Sequence, residues 1–270
     1  MTIYIEFMPN TEKATYVPVS NIDLDAIPRT MAWRVSELAA GSEIESHQHD
    51  RAQLLYASTG IMTVTTDSGI WVVPPHRAVW VPPSSAHAVQ ANTTLSLRNL
   101  YIDSYGVSGL PDDLCVVAVP RLLRELILEV ITLPVLYDEQ NAEGRLVNVV
   151  LDRIKSLDVI PLHLPLPTSA TTSRIASEIT LNPADNRSIE EWASELGGSG
   201  RTLARRFIQE TGLSFGQWRQ QARLLEAMRL LADGVAVTTV AMELGYSNQS
   251  AFITMFRKAV GKTPGKYFAA

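Results

Sequence analysis

Gly245-Tyr246-Ser247-Asn248-Gln249-Ser250-Ala251-Phe252-Ile253-Thr254-Met255-Phe256 is the stretch from which the C-terminal half can be read. Gly245 stops one short helix, and the residues after it start another. Ala251, Phe252, Met255 and Phe256 recur at spacings of three and four, so one face of the second helix is apolar and turns inward. Asn248, Gln249, Ser250 and Thr254 fall toward its start and on the other face, and Arg257 and Lys258 close it. Asn and Gln at the exposed start of a supported helix pair with base edges, and flanking Arg and Lys meet phosphates. The stretch is therefore expected to be a helix that reads double-stranded DNA.

The same arrangement occurs earlier. Ser188, with Glu191 three residues on, is a capping pattern for a helix whose apolar face is Ile189, Trp192, Ala193 and Leu196. Gly197-Gly198 turns the chain. Ser199 is expected to cap a helix through Glu210, with Leu203, Phe207 and Ile208 inward and Arg201, Arg205 and Arg206 outward. A long helix over 215–231 follows, and Thr238 or Thr239 is expected to open the short helix that Gly245 ends. Two helix-turn-helix units joined by one helix can present their reading helices to successive major grooves, about 34 Å apart.

These residues closely resemble the DNA-binding domain of the AraC/XylS family of bacterial transcription regulators. The resemblance rests on Ile189-x2-Trp192-Ala193, on Ser199-x-Arg201-Thr202-Leu203-x-Arg205-x-Phe207 and on Glu210-Thr211-Gly212-x-Ser214-Phe215-x-Gln217-Trp218. It continues through Ala241-x2-Leu244-Gly245-Tyr246-Ser247-Asn248-Gln249-Ser250-Ala251-Phe252 and Gly261-Lys262-Thr263-Pro264, and covers about the last 100 residues. It implies that Ser199, Gly200, Arg201, Ala204, Arg205 and Arg206 serve the first reading helix. Asn248, Gln249, Ser250 and Thr254 serve the second, with Arg257 and Lys258 on phosphate. Arg219, Arg223 and Arg229 on the joining helix are expected in internal ion pairs. The family also implies a homodimer.

The first half has a different texture. Short β-branched or aromatic runs at 32–38, 53–58, 61–66, 70–73, 78–81 and 95–102 are broken by Gly41, Gly60, Gly69, Pro74-Pro75 and Pro82-Pro83. Evenly broken short strands predict a β-barrel or sandwich. Inside them lie Gly41-x5-His47-x-His49-x3-Gln53-x6-Gly60 and Pro82-x-Ser84-x2-His87, a spacing that resembles the two motifs of the cupin fold over roughly residues 30–105. In metal-binding cupins the counterparts of His47, His49 and His87, with a glutamate, hold a divalent metal. Here the glutamate position is Gln53, a poor ligand, and the glycine of the second motif is Ser84. Two readings stand: a site for zinc, nickel or iron completed by Gln53, or an effector pocket lined by the same histidines. Trp33, Tyr56 and Trp80 are candidate pocket walls, and Trp71 lies in the same strands. His76 and His163, both flanked by proline, are expected to be surface or turn residues.

From Pro120 the period turns helical. Leu122, Leu123, Leu126, Ile127 and Val130 make one stripe, and Leu146, Val149, Val150, Ile154 and Leu157 a second; each packs on the barrel or forms a dimer surface. Pro161, Pro165 and Pro167 mark 159–168 as a stiff connector. The expected organisation is α+β and multidomain: a cupin-like sensing domain over 1–118, a helical segment over 119–158, a linker over 159–168 and an all-α double helix-turn-helix domain over 169–270.

Residues 1–167 hold 11 Lys and Arg against 19 Asp and Glu, net −8; the rest hold 12 against 9, net +3. An acidic regulatory half joined to a mildly basic nucleic-acid half fits that division. The single cysteine, Cys115, excludes an internal disulfide, suits a reducing cytoplasm and is expected to be a buried structural thiol. Met1–Asn10 lacks the basic start of a signal peptide, and no apolar run approaches the about 20 residues of a membrane span. The reading is a cytoplasmic, sequence-specific transcription regulator, not an enzyme, controlled by a small molecule or metal at the barrel. Its rivals are a metal-dependent cupin oxygenase fused to a DNA-binding domain, and a constitutive DNA-binding protein whose cupin only dimerises.

Overall fold

The computed structural model describes residues 23–268 other than Pro75 and Pro161, so Met1–Asn10 lies outside the described residues. The N-terminal part is built on antiparallel strands: β1 (Met31–Leu38), β2 (Glu43–His47), β3 (Ala52–Thr59), β4 (Met62–Thr66), β5 (Gly69–Val73), β6 (Arg77–Val81), β7 (His87–Ala91), β8 (Leu95–Ile102), β9 (Cys115–Ala118), β10 (Val159–Ile160) and β11 (His163–Pro165). They form one sheet in the order β1-β8-β3-β6-β9-β10 and a second in the order β11-β5-β4-β7-β2. This is the cupin-like sandwich expected from the short, broken runs. Five of the strands have no counterpart among those runs. Glu43–His47 and His87–Ala91 are too polar to show as apolar runs, β9 lies beyond the stretch read as strands, and β10 and β11 are only two and three residues long.

Strand alternation sorts the side chains. Leu55, Ala57, Val79, Val81, Leu95 and Leu97 of the first sheet point inward to Met62, Val64, Trp71, Val89 and Ala91 of the second. Their neighbours Leu54, Tyr56, Ala78, Trp80, Leu100 and Ile102 point outward, where α1 (Arg121–Val130) and α2 (Ala142–Lys155) cover them. Leu123, Ile127 and Val130, then Val147, Val150, Leu151 and Ile154, are the buried faces of those helices. Both apolar stripes thus find their cover on the barrel, while Leu122 and Val149 stay exposed. Cys115 is half-buried, and burial and the nearby Asp113 push its thiol above its ordinary value.

The outer face of the second sheet is covered too. Thr63, Ile70, Val72 and Leu164 face Ile179, Ala222 and Leu225 of the C-terminal helices. Cover on both faces explains why β5 reads Gly-Ile-Trp-Val-Val, a nearly continuous apolar run without alternation. The 159–168 segment is extended, as its prolines require, but it is not a free tether. Val159 and Ile160 pair with Val117 and Val116, and His163, Leu164 and Pro165 pair with Trp71, Ile70 and Gly69. His163 is no surface residue: its ring stacks on Trp71, 4.5 Å between centroids and 12° between planes.

The C-terminal part holds α3 (Ala170–Leu181), α4 (Ile189–Glu195), α5 (Gly200–Thr211), α6 (Phe215–Ala232), α7 (Val237–Glu243), α8 (Gln249–Val260) and α9 (Pro264–Phe268). The capping box of Ser188 and Glu191 forms, and Ser214 with Gln217 makes another. Two expected caps do not. The Ser199 side chain makes no cap hydrogen bond, and α7 starts at Val237 behind Ala236 instead of at Thr238 or Thr239. A cap reaches α3 from elsewhere in the chain. Glu210 on α5 accepts hydrogen bonds from the Thr168 and Ser169 amides and the Thr172 hydroxyl. Burial pushes the Glu210 carboxyl up, but these hydrogen bonds outweigh it and hold the group below its ordinary value.

Candidate effector site and nucleic-acid interface

The histidines come together through two segments of different sheet depth. His47 ends β2 and pairs with His87 at the start of β7, after an irregularity between Ile44 and His47. His49 lies in the loop beyond β2. That loop is tied down by the Ser84 amide, which donates to the His49 carbonyl at 2.8 Å. Ser84 has φ 57, in the left-handed region where a glycine carries no strain. The ring centroids of His47 and His87 are 4.4 Å apart, and those of His49 and His87 5.3 Å. One ring nitrogen from each lies within 4.8 Å of the others.

Each ring is set the same way round. Nδ1 of His47 lies 2.9 Å from the Glu45 carbonyl oxygen, Nδ1 of His49 2.6 Å from that of Arg51, and Nδ1 of His87 2.8 Å from that of Ser85. Each Nδ1 therefore carries the proton and donates it, which leaves Nε2 with its lone pair. The His87 Nε2 is buried and has no hydrogen-bond partner among the described residues. Burial first, opposed by the Ser85 contact and aided by His47 and His49, lowers His87 to about 4, so the ring is neutral near pH 7. Nε2 of His49 lies 3.0 Å from the Gln53 amide, whose other end donates to the Tyr101 hydroxyl at 3.1 Å. Turning that amide over presents N–H to His49 and oxygen to Tyr101, an exchange that leaves its shape unchanged. Three like-oriented imidazoles with second-sphere carbonyls fit a divalent cation once the Gln53 amide leaves the His49 Nε2.

A cavity of about 310 Å³ opens beside the cluster. Its lining includes the polar Arg34, Gln53, Asn99 and Tyr101, the apolar Leu38, Leu55 and Leu97 further along the same three strands, and Val89 of the second sheet. Asn99 is buried, and its Oδ1 has no hydrogen-bond partner among the described residues. The sequence reading missed Arg34, Asn99 and Tyr101. Alternation supplies a signal once one inward residue is known: Tyr101 and Leu54 stand beside Gln53 and Leu100 in the β3–β8 ladder, so 97, 99 and 101 share the face of Gln53. The same rule removes Trp33, Tyr56 and Trp80 from the pocket. Trp80 pairs with Leu54 and Trp33 with Leu100, all on the outer face. Tyr56 and Trp80 are core under α1 and α2, the Trp80 indole donates to the Pro111 carbonyl, and Trp33 stacks on Tyr137.

In the helical part, α4 with α5 and α7 with α8 form two helix-turn-helix units bridged by α6. Trp192, Phe207, Trp218, Phe252 and Phe256 are fully buried and set the angles between helices. Gly245 has φ 74, and a Cβ there would meet the Ala184 carbonyl oxygen at 2.7 Å, so both backbone conformation and space demand glycine. Arg201, Arg205 and Arg206 are exposed along α5, as are Gln249, Ser250, Thr254, Arg257 and Lys258 on α8; Ser199 and Asn248, which precede the two helices, are exposed as well. Ala204 is half-buried. Gly200 faces α4, where a Cβ would come within 3.3 Å of Glu190. Asn248 is the N-cap of α8, its Oδ1 accepting from the Ala251 amide at 2.8 Å, and the Thr254 hydroxyl donates to the Ser250 carbonyl. Ile208, expected inward, is exposed beside the arginines because the helix turns its 203/207/211 edge to the core.

On α6, Arg229 forms the expected ion pairs, with Glu226 and Asp233. Arg223 does not. It is buried and donates to the carbonyls of Pro183 and Asp185 and to the Asn186 side chain, while Arg219 donates to the Arg187 carbonyl.

A sandwich with a histidine-lined cavity, followed by two bridged helix-turn-helix units, defines a ligand-binding domain joined to a DNA-binding domain. The AraC-like ligand binding domain matches residues 36–129, and a helix-turn-helix domain matches 192–270. The HTH-type transcriptional regulator NimR of Escherichia coli K12 is 36% identical over 223 residues, 83% of this chain and 81% of its own length. RipA of Corynebacterium glutamicum is 38% identical over 103 residues, 38% of this chain and 31% of its own. The structure of ToxT from Vibrio cholerae aligns over 88% of this chain and 98% of its own, with TM-score 0.36 and 11% identity. The chain belongs to the AraC family of DNA-binding transcription regulators and carries that family's N-terminal ligand-binding domain. Among the described residues no helix is long and apolar enough to cross a membrane.

Proposed function

We propose that the chain is a sequence-specific regulator whose DNA affinity is set at the three-histidine cluster, and that His47, His49 and His87 hold a divalent cation of the zinc, nickel or iron class. The observation that carries this is the shared orientation of the rings. Three imidazoles each give Nδ1–H to a backbone carbonyl and turn Nε2 away from it, that of His49 toward Gln53, with one ring nitrogen of each within 4.8 Å of the other two. Arg201 and Arg205 act as the principal readers, on base edges or phosphates. Gln249 and Ser250 read more finely, and Arg257 and Lys258 meet phosphate.

The cation switches DNA binding only if it favours one arrangement of the two domains. The strand pairing of β11 and the cover of the second sheet by α3 and α6 give it a direct route. The test is elemental analysis of the folded full-length chain after exposure to Zn²⁺, Ni²⁺ or Fe²⁺, beside its affinity for DNA selected from a random library. A retained cation that His47→Ala with His49→Ala abolishes, and a DNA affinity that follows the cation, are expected. A folded chain that retains no cation and binds DNA alike in chelator and metal would refute the proposal.

A further inference from the structure

The two reading helices match position for position. α5 and α8 are both 12 residues long, begin after the N-caps Ser199 and Asn248, and end at Gly212 and Gly261 with φ 72 and 80. Counted from the caps, the buried Leu203 and Phe207 of α5 stand where α8 has the buried Phe252 and Phe256. The same count sets Arg201, Ala204 and Arg205 against Ser250, Ile253 and Thr254, and it sets Ile208 against Arg257. Ala204 and Ile253 are both half-buried, and the other pairs are exposed on both helices, so the two faces present the same positions to a partner.

Arg201, Ala204, Arg205 and Ile208 are spaced i, i+3, i+4 and i+7, which places them on one stripe of α5. Ile208 is 48% exposed there. A helical side chain leans toward the N-terminus, in this case over Ala204, whose single methyl is too short to cover it. At the matching position α8 carries Arg257, a phosphate-seeking cation. Isoleucine has neither charge nor donor and cannot make that contact. The apolar group that the major groove offers to such a side chain is the C5 methyl of thymine. Seven residues at about 1.5 Å each carry Ile208 about 10 Å further along the helix than Arg201, so it meets a different base pair.

We infer that Ile208 is a specificity-determining residue of the first reading helix and that it reads the methyl group of a thymine. The inference rests on the reading of α5 as a DNA-reading helix. The first unit then recognises polar base edges or phosphates through its two arginines and a methyl through Ile208.

The experiment uses the full-length chain and DNA selected by it from a random library. Each thymine is replaced in turn by deoxyuridine, which lacks only the methyl, and affinity is followed by fluorescence anisotropy. At one thymine the wild type is expected to lose about fourfold, the effect of leaving about one CH₂-sized group unburied. Ile208→Ala, a change at an exposed position, is expected to lose a similar factor on the unmodified DNA and to be indifferent to deoxyuridine at that thymine. Ile208→Arg is expected to be indifferent to it as well, and to make affinity fall more steeply with salt by about one phosphate contact. If Arg201→Ala with Arg205→Ala leaves affinity and sequence preference unchanged, α5 does not read DNA and the inference falls with that reading. If the arginines matter but no thymine is sensitive to deoxyuridine, or the sensitivity persists in full in Ile208→Ala, the thymine inference is overturned and the arginine reading stands.

Discussion

The contact that joins the two domains most specifically is the Trp218 indole, and replacing it with phenylalanine tests how tightly they are joined. Trp218 is fully buried on α6, edge-on to Phe207 at 5.5 Å, and its Nε1–H donates to the Pro165 carbonyl at 2.7 Å. Pro165 closes β11, so the bond runs from the DNA-binding helices into the second sheet. Trp218→Phe keeps an aromatic body but removes the donor. An acceptor left without its partner costs about 1–3 kcal/mol. The void left by the smaller ring adds about 1 kcal/mol. The expected loss is about 2–4 kcal/mol, a downward shift of the urea midpoint on the order of 1 M. The assay is urea unfolding followed by helical circular dichroism, with Trp192→Phe alongside. Trp192 is equally buried, but its Nε1 has no hydrogen-bond partner among the described residues, so its replacement should cost less. A loss below about 0.5 kcal/mol for Trp218→Phe, the size of a neutral surface change, would refute the reasoning. So would equal losses for the two variants.

Arg205→Ala should weaken specific DNA binding by about 1–3 kcal/mol if the exposed guanidinium reads a base, measured by fluorescence anisotropy on selected and random DNA; unchanged affinity and preference would remove that role. Asn248→Ala should cost about 1 kcal/mol of stability, because Oδ1 caps α8, and should change sequence preference less than Gln249→Ala does; the reverse order would make Asn248 the reader. Hydrogen bonds from Arg187 hold the Asp185 carboxyl below its ordinary value. Its contribution to stability is therefore complete above the unfolded value of about pH 3.9 and is lost as the pH falls through the lower folded value. Asp185→Asn should flatten the acid limb of the melting temperature between about pH 5 and pH 3, and an unchanged slope would contradict the pairing.

The helical half was legible in the sequence because its information is local. Spacings of three and four at Phe252, Met255 and Phe256 name the buried face of α8 without reference to any other element, although Ala251, read onto the same face, is exposed. Gly245 and the Ser188–Glu191 box name helix ends by backbone geometry that a few residues settle among themselves. Where a cap came from a distant element, as Glu210 on α3, no local pattern announced it. The motif spacing of His47, His49 and His87 was legible too, since two short motifs deliver all three rings.

The pocket walls were decided by tertiary structure. Which parity of a strand faces inward depends on its register with neighbours, and a shift of one residue moves every side chain to the other face. Nothing in the run Ala52–Thr59 alone says that Gln53 looks in and Tyr56 out; the pairing with β6 and β8 does. Of the aromatics proposed for the pocket on residue type, Tyr56 and Trp80 thus became core beneath α1 and α2 and Trp33 stacked on Tyr137, and Arg34, Asn99 and Tyr101 took the wall. Tertiary pairing also turned the proline-rich connector into a sheet edge carrying the Trp218 bond, because an extended segment with free backbone groups stays extended whether it lies in water or beside β5. The sequence by itself determined the class of protein, the two helix-turn-helix units and the grouping of the three histidines. Only the assembled sheets determined the shape of the cavity beside those histidines and which side chains line it.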